Sequence, residues 1–124
     1  FSTNQRQALL WGKWLLGEET TDPTPSYLLK YWCAAHKRVI NIVTQLNLTE
    51  SFFLLDYDRL ITTPMPVLHE LFSFLNLPVT ENHLNELSQL ILPSTSAGRF
   101  KSHDLSIFDP VDIDYVAALG FSVH

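Results

Sequence analysis

The chain has 124 residues, of which 46% are hydrophobic and 17% charged, and this composition is typical of a single globular domain rather than a disordered segment. Thirteen Asp and Glu against eight Lys and Arg leave a formal net charge of −5. That balance argues against a broad nucleic-acid-binding surface, because phosphate neutralisation needs clustered cations. One cysteine cannot form an internal disulfide, and no apolar run reaches the roughly 18 residues of a membrane span. We therefore expect a cytoplasmic protein, and the charge balance still allows a small anionic ligand held by two or three bases.

Five helices are predicted by apolar residues at helical spacing, each bounded by a residue that favours a helix end. Ser, Thr and Asp favour the N-cap because the side-chain oxygen accepts a hydrogen bond from a free amide, and Pro favours the first turn because no amide is needed there. The predicted helices cover residues 3–16, 25–46, 64–75, 81–92 and 110–119, with starts at Thr24, Thr63, Thr80 and Asp109 and glycine ends at Gly17 and Gly120.

The stretch from Ser51 to Pro64 has a different pattern. Residues 52–56 begin with four apolar side chains and are predicted to form a strand, which then turns polar at Asp56, Tyr57 and Asp58. Strands of α/β proteins present ligand-binding groups in this way at their carboxyl ends. One strand cannot form a sheet, so its partners are expected outside these residues. The sequence thus predicts the mostly helical part of an α/β protein.

Most residues with reactive or metal-binding side chains lack the spacing that catalysis or metal binding requires. The five histidines show no metal-ligand spacing, and the glycine pattern of a phosphate-binding P-loop is absent. Asp56 and Asp58 form either an acid–base pair or local turn and cap contacts, and the missing third partner favours the second interpretation. Cys33 is predicted to pack on the apolar side of the second helix, whereas the cations of that helix, Lys30, Lys37 and Arg38, are predicted to be solvated.

The longest irregular stretch contains hydroxyl, glycine and cationic residues close together. Small hydroxyls, a glycine that admits backbone amides and two cations would cradle a phosphate. An ordinary surface loop with two charges is the alternative, and the residues by themselves leave both open. The cluster consists of Ser94, Thr95, Ser96, Gly98, Arg99 and Lys101.

At these residues the chain resembles the C-terminal half of the sulfotransferases that use 3′-phosphoadenosine-5′-phosphosulfate (PAPS). Residues 52–64 are similar to the family's strand and turn with Tyr-Glu-Asp-Leu, residues 68–78 to its helix ending in Phe-Leu-Gly-Leu-Pro, and residues 96–101 to its late Gly-Arg loop. Residues 1–12 resemble a bacterial-type subgroup. The chain departs from the family at Arg59, where Asp is usual, and at Asn76, where Gly is usual.

The resemblance implies a P-loop-like α/β parent with a parallel sheet flanked by helices, which moves a sulfuryl group from PAPS to a hydroxyl or amine. The acceptor would be a small molecule, a peptide or a carbohydrate, and no metal is implied. Residues 1–124 would form the C-terminal portion of one sulfotransferase domain, with the P-loop half and the catalytic base upstream of Phe1. The segment alone would then be inactive. The sequence assigns neither the acceptor nor an oligomeric state.

The resemblance also implies which residues of this chain bind the donor, and none of them is catalytic. Tyr57 would lie near the adenine, although a buried ring with a satisfied hydroxyl is the alternative. The remaining residues would contact the 3′-phosphate, where hydroxyls, backbone amides and an Arg fork suit a dianion. These phosphate-binding residues are Ser2, Ser96, Gly98, Arg99 and Lys101.

Two other functions remain open at the level of sequence. A non-catalytic helical interaction module would use Trp11, Trp14 and Trp32 as a partner surface. A fragment of another P-loop enzyme, such as a small-molecule kinase, is the third possibility. A glycine-rich Arg-Ser-Gly-Thr loop upstream would favour the sulfotransferase, and a Gly-Lys-Ser/Thr loop the kinase.

Overall fold

The computed structural model describes residues 2–93 and 104–123, and side chains from residue 5 onward. Within these ranges the chain is mostly helical, as predicted, and contains six α-helices. Short 3₁₀ turns occur at Thr49–Ser51 and Leu105–Ile107. The helices are α1 (Ser2–Leu16), α2 (Pro25–Gln45), α3 (Tyr57–Thr62), α4 (Pro64–Phe74), α5 (Glu81–Leu90) and α6 (Pro110–Ala118). All five predicted helices are confirmed to within a few residues, and α3 is an additional one.

Side-chain caps start three of the predicted helices. The Thr24 hydroxyl accepts from the Tyr27 amide at 3.2 Å, and the Thr80 hydroxyl accepts from the His83 amide at 3.3 Å. For α6, the Asp109 Oδ1 atom accepts a hydrogen bond from the Val111 amide at 3.0 Å. Thr63 is the N-cap residue of α4, as predicted, but its side chain makes no capping hydrogen bond to an α4 amide. Its hydroxyl instead donates to the Arg59 carbonyl at 3.1 Å, because α3 ends immediately before α4 and leaves carbonyls without helical partners.

The predicted strand at 52–56 is wrong for this structure. In the described part of the chain no strand is formed, and residues 52–56 connect a 3₁₀ turn to α3. A strand is defined by ladder hydrogen bonds, and these residues have no neighbouring strand to bond. Leu54 and Leu55 are exposed, whereas Phe53 is used in packing. Phe53 lies against Phe74 of α4, with ring centroids 5.1 Å apart.

The chain divides into two compact units. The first contains the described residues of Phe1–Leu48 and His103–His124, where α1 and α6 both pack against α2. Its buried side chains include Ala8, Leu28 and Cys33. Trp32 of α2 stacks on His36 with centroids 3.5 Å apart and meets the ring of Phe121 edge-on at 5.5 Å. The contact between Trp32 and Phe121 packs the chain after α6 against α2.

The second unit contains the described residues of Thr49–Ser102. Helix α4 is central, since it packs against both α3 and α5. Val67 and Leu68 of α4 and Leu84 of α5 form its buried core. This helical unit contains residues 52–58, which the sequence predicts to form a ligand-binding edge.

Candidate functional site

Tyr57 is the predicted donor-binding residue whose side chain the structure describes. It is the first residue of α3 and follows Asp56, whose backbone is extended with φ −83° and ψ 111°. The Tyr57 side chain is 54% exposed. The interpretation of Tyr57 as a buried ring with a satisfied hydroxyl is therefore wrong. Its ring is free to stack on a planar ligand.

Asp56 fixes where α3 begins and thereby where Tyr57 lies. Its Oδ1 atom accepts hydrogen bonds from the amides of Asp58 at 2.9 Å and Arg59 at 3.2 Å. These are two of the amides that a helix start leaves without partners. The interpretation of Asp56 as a cap is confirmed. Because Oδ1 is engaged by two amides, the contacts favour the cap interpretation over the acid–base pair.

An ion pair joins the helix that carries Tyr57 to the centre of its unit. The Arg59 Nη2 atom lies 3.0 Å from Glu70 Oε1, with the two side chains 50% and 49% exposed. A second contact, between His69 Nε2 and Glu81 Oε1 at 3.0 Å, joins α4 to α5. Arg59 is thus occupied within the unit and is a weak candidate for binding a ligand anion.

The other predicted donor-binding residues lie where the structure gives no side-chain description. Ser2 is the first residue of α1, and its side chain lies outside the described part. The loop residues Ser96, Gly98, Arg99 and Lys101 also lie outside the described residues. Their proposed phosphate contacts stay predictions.

A buried polar cluster between α2 and α6 was not predicted from the sequence. Cys33 is only 1% exposed, and its thiol lies 3.8 Å from the Asp112 carbonyl oxygen. Asp112 is 8% exposed, and neither its Oδ2 atom nor the Tyr115 hydroxyl has a hydrogen-bond partner among the described residues. The Lys37 ammonium lies 4.5 Å from the centre of the Tyr115 ring. Cys33 and Asp112 are 79 positions apart, so no local pattern could have revealed their contact.

The electrostatics of this cluster keep the thiol inert. Burial, and then the negative charge of Asp112, raises the pKa of Cys33 to about 11, against a smaller opposing effect of Lys37. A thiol with such a pKa remains protonated at neutral pH and is neither a nucleophile nor a good metal ligand. The prediction that Cys33 serves packing is confirmed by its burial.

No group of three or more His, Cys, Asp or Glu among the described residues is arranged to hold a metal ion. None of the described helices combines the length and apolarity that crossing a membrane would require. No family model, curated protein or solved structure matches the chain. Function must therefore be inferred from the residues of the chain itself.

Proposed function

We propose that this chain is part of a PAPS-dependent sulfotransferase, in which it contacts the adenine and the 3′-phosphate of the donor. The observation that carries the proposal is the exposed Tyr57 side chain at the start of α3, directly after the N-cap residue Asp56. In the family that the sequence resembles, a tyrosine at the end of a strand lies near the adenine.

The proposed reaction moves the sulfuryl group of PAPS to an acceptor hydroxyl or amine. The bond from sulfur to the 5′-phosphate oxygen breaks, a bond from sulfur to the acceptor oxygen or nitrogen forms, the acceptor proton passes to a base elsewhere in the enzyme, and adenosine 3′,5′-bisphosphate leaves. This chain binds and orients the donor and contributes no proton transfer. Tyr57 would hold the adenine face, and Arg99 would bind the dianionic 3′-phosphate through its planar fork of N–H donors.

Backbone and hydroxyl donors would complete the phosphate site. Gly98 has no Cβ and lets its amide approach an oxygen closely, while Ser2 and Ser96 supply hydroxyls and Lys101 a second charge. In this proposal, the donors to the 3′-phosphate would also help to set the position of the sulfuryl group at the other end of the nucleotide. The chain's contribution to rate would therefore be one of positioning.

Thermal denaturation of the full-length protein that contains this chain tests the proposal. Adenosine 3′,5′-bisphosphate should raise the Tm, because a ligand at 100 times its Kd stabilises by about 2.7 kcal/mol. Arg99→Ala should remove most of that shift. Arg59→Ala is the matched control, since it removes a cation already paired with Glu70 and should leave the shift intact. A wild-type protein with no response would refute the proposal, and an unchanged response in Arg99→Ala would refute the role of Arg99 alone.

One observation favours the helical interaction module as a second candidate. Helix α1 exposes Leu10, Trp11 and Trp14, the last of these to 82%. Large apolar side chains in one exposed surface are typical of a protein-binding face. If partner binding is the whole function, adenosine 3′,5′-bisphosphate should leave the Tm unchanged. Trp14→Ala, rather than Tyr57→Ala, should then abolish the function of the protein in cells. No described residue favours the kinase.

A further inference from the structure

The first unit contains a cleft that the proposed function does not use. It lies between the C-terminal end of α1 and the second half of α2 and has a volume of about 460 Å³. Sites for small molecules commonly measure about 300–1,000 Å³. Trp14 and Leu15 line it from α1, and the α2 side is formed by successive turns of a single helix face. The cleft is therefore large enough for a ligand of one or two rings.

The cleft is cationic in an acidic chain. Five of the eight Lys and Arg residues lie in α1 and α2, and these two helices contain no Asp or Glu. Lys37 and Arg38 line the cleft, and no acidic side chain does. An anionic ligand would thus meet attraction without a competing carboxylate.

Arg38 is the cation most available to such a ligand. Lys13 of α1 lies 3.1 Å from Glu19, and Lys37 lies over the Tyr115 ring. Arg38 is exposed and makes no ion pair or hydrogen bond within the described ranges 2–93 and 104–123. Its guanidinium can therefore offer a carboxylate or sulfonate two parallel N–H donors. The sequence interpretation of Arg38 as merely solvated misses this setting beside a cleft.

The remaining lining indicates the shape of the ligand. The Trp14 indole is 82% exposed and presents a flat apolar surface, and Ile42 adds an aliphatic one. Asn41 and Gln45 extend along α2 at the spacing of one helix face and supply amide donors and acceptors. The last turn of α2 is the negative end of its dipole, so the anion belongs near Arg38 rather than near Gln45.

We propose that this cleft binds a small aromatic anion, such as an aromatic carboxylate or sulfonate, with its charged group on Arg38 and its ring on Trp14. Lys37 lies one residue away on the same helix and adds a second, longer-range attraction. The site goes beyond the proposed sulfotransferase function and does not depend on it. Because the cleft is open, binding rests on the charge and the ring together.

Calorimetric titration of the full-length protein with 2-naphthoate tests this. The neutral analogue 2-naphthalenemethanol has the same rings and should bind about tenfold or more weakly, because it lacks the charge-assisted contact. Arg38→Gln should weaken 2-naphthoate by a similar factor and leave the neutral analogue unchanged. Lys30→Gln is the matched control, since it removes one cation from the same helix but outside the cleft, and should change affinity less than twofold.

A second measurement tests whether the naphthalene ring contacts Trp14. The indole N–H signal of Trp14, assigned by its loss in Trp14→Ala, should shift in an NMR titration with 2-naphthoate. Absence of 2-naphthoate binding, or an equal loss of affinity in Arg38→Gln and Lys30→Gln, would overturn the proposal. The Tm response to adenosine 3′,5′-bisphosphate should persist in Arg38→Gln, which separates failure of this site from failure of the proposed function.

Discussion

The hydroxyl of Tyr27 occupies the space that a side chain at Gly12 would need. A Cβ built on Gly12 would overlap the Tyr27 hydroxyl oxygen and crowd the ring atoms next to it. The same hydroxyl donates a hydrogen bond to the Glu18 carbonyl at 3.0 Å. Gly12 is buried, and its lack of a side chain allows the first turn of α2 to lie close against α1.

Forcing extra atoms into a packed contact costs about 1–3 kcal/mol, so after a gain of roughly 1 kcal/mol from the helix preference of Ala Gly12→Ala should destabilise the protein by up to about 2 kcal/mol. The sign is informative, because Gly to Ala inside a helix otherwise stabilises by roughly 1 kcal/mol. Urea denaturation gives the free energy of unfolding. Tyr27→Phe, which removes the overlapping oxygen, should make the added Ala less costly, and a double-mutant cycle measures that coupling. A stabilised Gly12→Ala variant would show that the helices are not in this contact.

Cys33 should resist alkylation in the folded protein. Its thiol is buried with a pKa of about 11, so at pH 8 it is both inaccessible and protonated. Iodoacetamide labelling followed by mass spectrometry should detect modification in denaturant and very little without it. Asp112→Asn should lower the thiol pKa, since it removes a negative charge that raises it. Rapid labelling of the native wild type would contradict the burial.

The same thiol should make stability depend on alkaline pH. Its folded pKa is about 11 against an ordinary 9.0, so the folded state holds the proton more tightly. The contribution is fully present below pH 9 and is lost as the pH rises towards 11. Burial also raises the pKa of Tyr115, which acts in the same direction. In Cys33→Ala, the free energy of unfolding should fall less as the pH rises from 9 towards 11. Denaturation at several pH values measures this, and an identical pH dependence in wild type and variant would contradict the prediction.

Removal of the cap at the start of α3 should weaken both stability and donor binding. Asp56→Ala deletes an oxygen that accepts from two amides, at a cost of about 0.5–2 kcal/mol. Because the cap sets where α3 starts, the Tyr57 ring should also lose its position, and the Tm response to adenosine 3′,5′-bisphosphate should shrink. Asp56→Asn keeps an acceptor and should restore most of both properties. Equal effects of Ala and Asn would mean that charge rather than capping matters.

The ion pair between Arg59 and Glu70 should contribute little to stability despite its 3.0 Å distance. Both side chains are about half exposed, and pairs of this kind are worth about 0.2–1 kcal/mol. A double-mutant cycle with Arg59→Ala and Glu70→Ala, read by urea denaturation, should give a coupling in that range that falls at high salt. A larger coupling that is insensitive to salt would indicate a burial that this structure does not have.

The positions of α1, α2, α4, α5 and α6 could be predicted from the sequence alone, whereas α3 was missed. Thr24, Thr80 and Asp109 cap amides two or three residues away, so the whole interaction lies within one short window of sequence. Local hydrogen bonds and fixed backbone preferences are sufficient for such features, since they do not depend on distant parts of the chain. The assignment of Tyr57 as a ligand contact came from the family resemblance and stays a prediction.

Tertiary structure decided the features that join distant residues. Residues 52–56 have the composition of a strand, yet no ladder forms because pairing requires a second strand. The contact between Cys33 and Asp112, the fit of Tyr27 over Gly12 and the cleft beside Arg38 each depend on how one helix lies against another. The sequence also did not predict whether the Tyr57 side chain is exposed or buried. Side-chain burial is a property of packed surfaces, and a residue's neighbours along the chain determine only part of it.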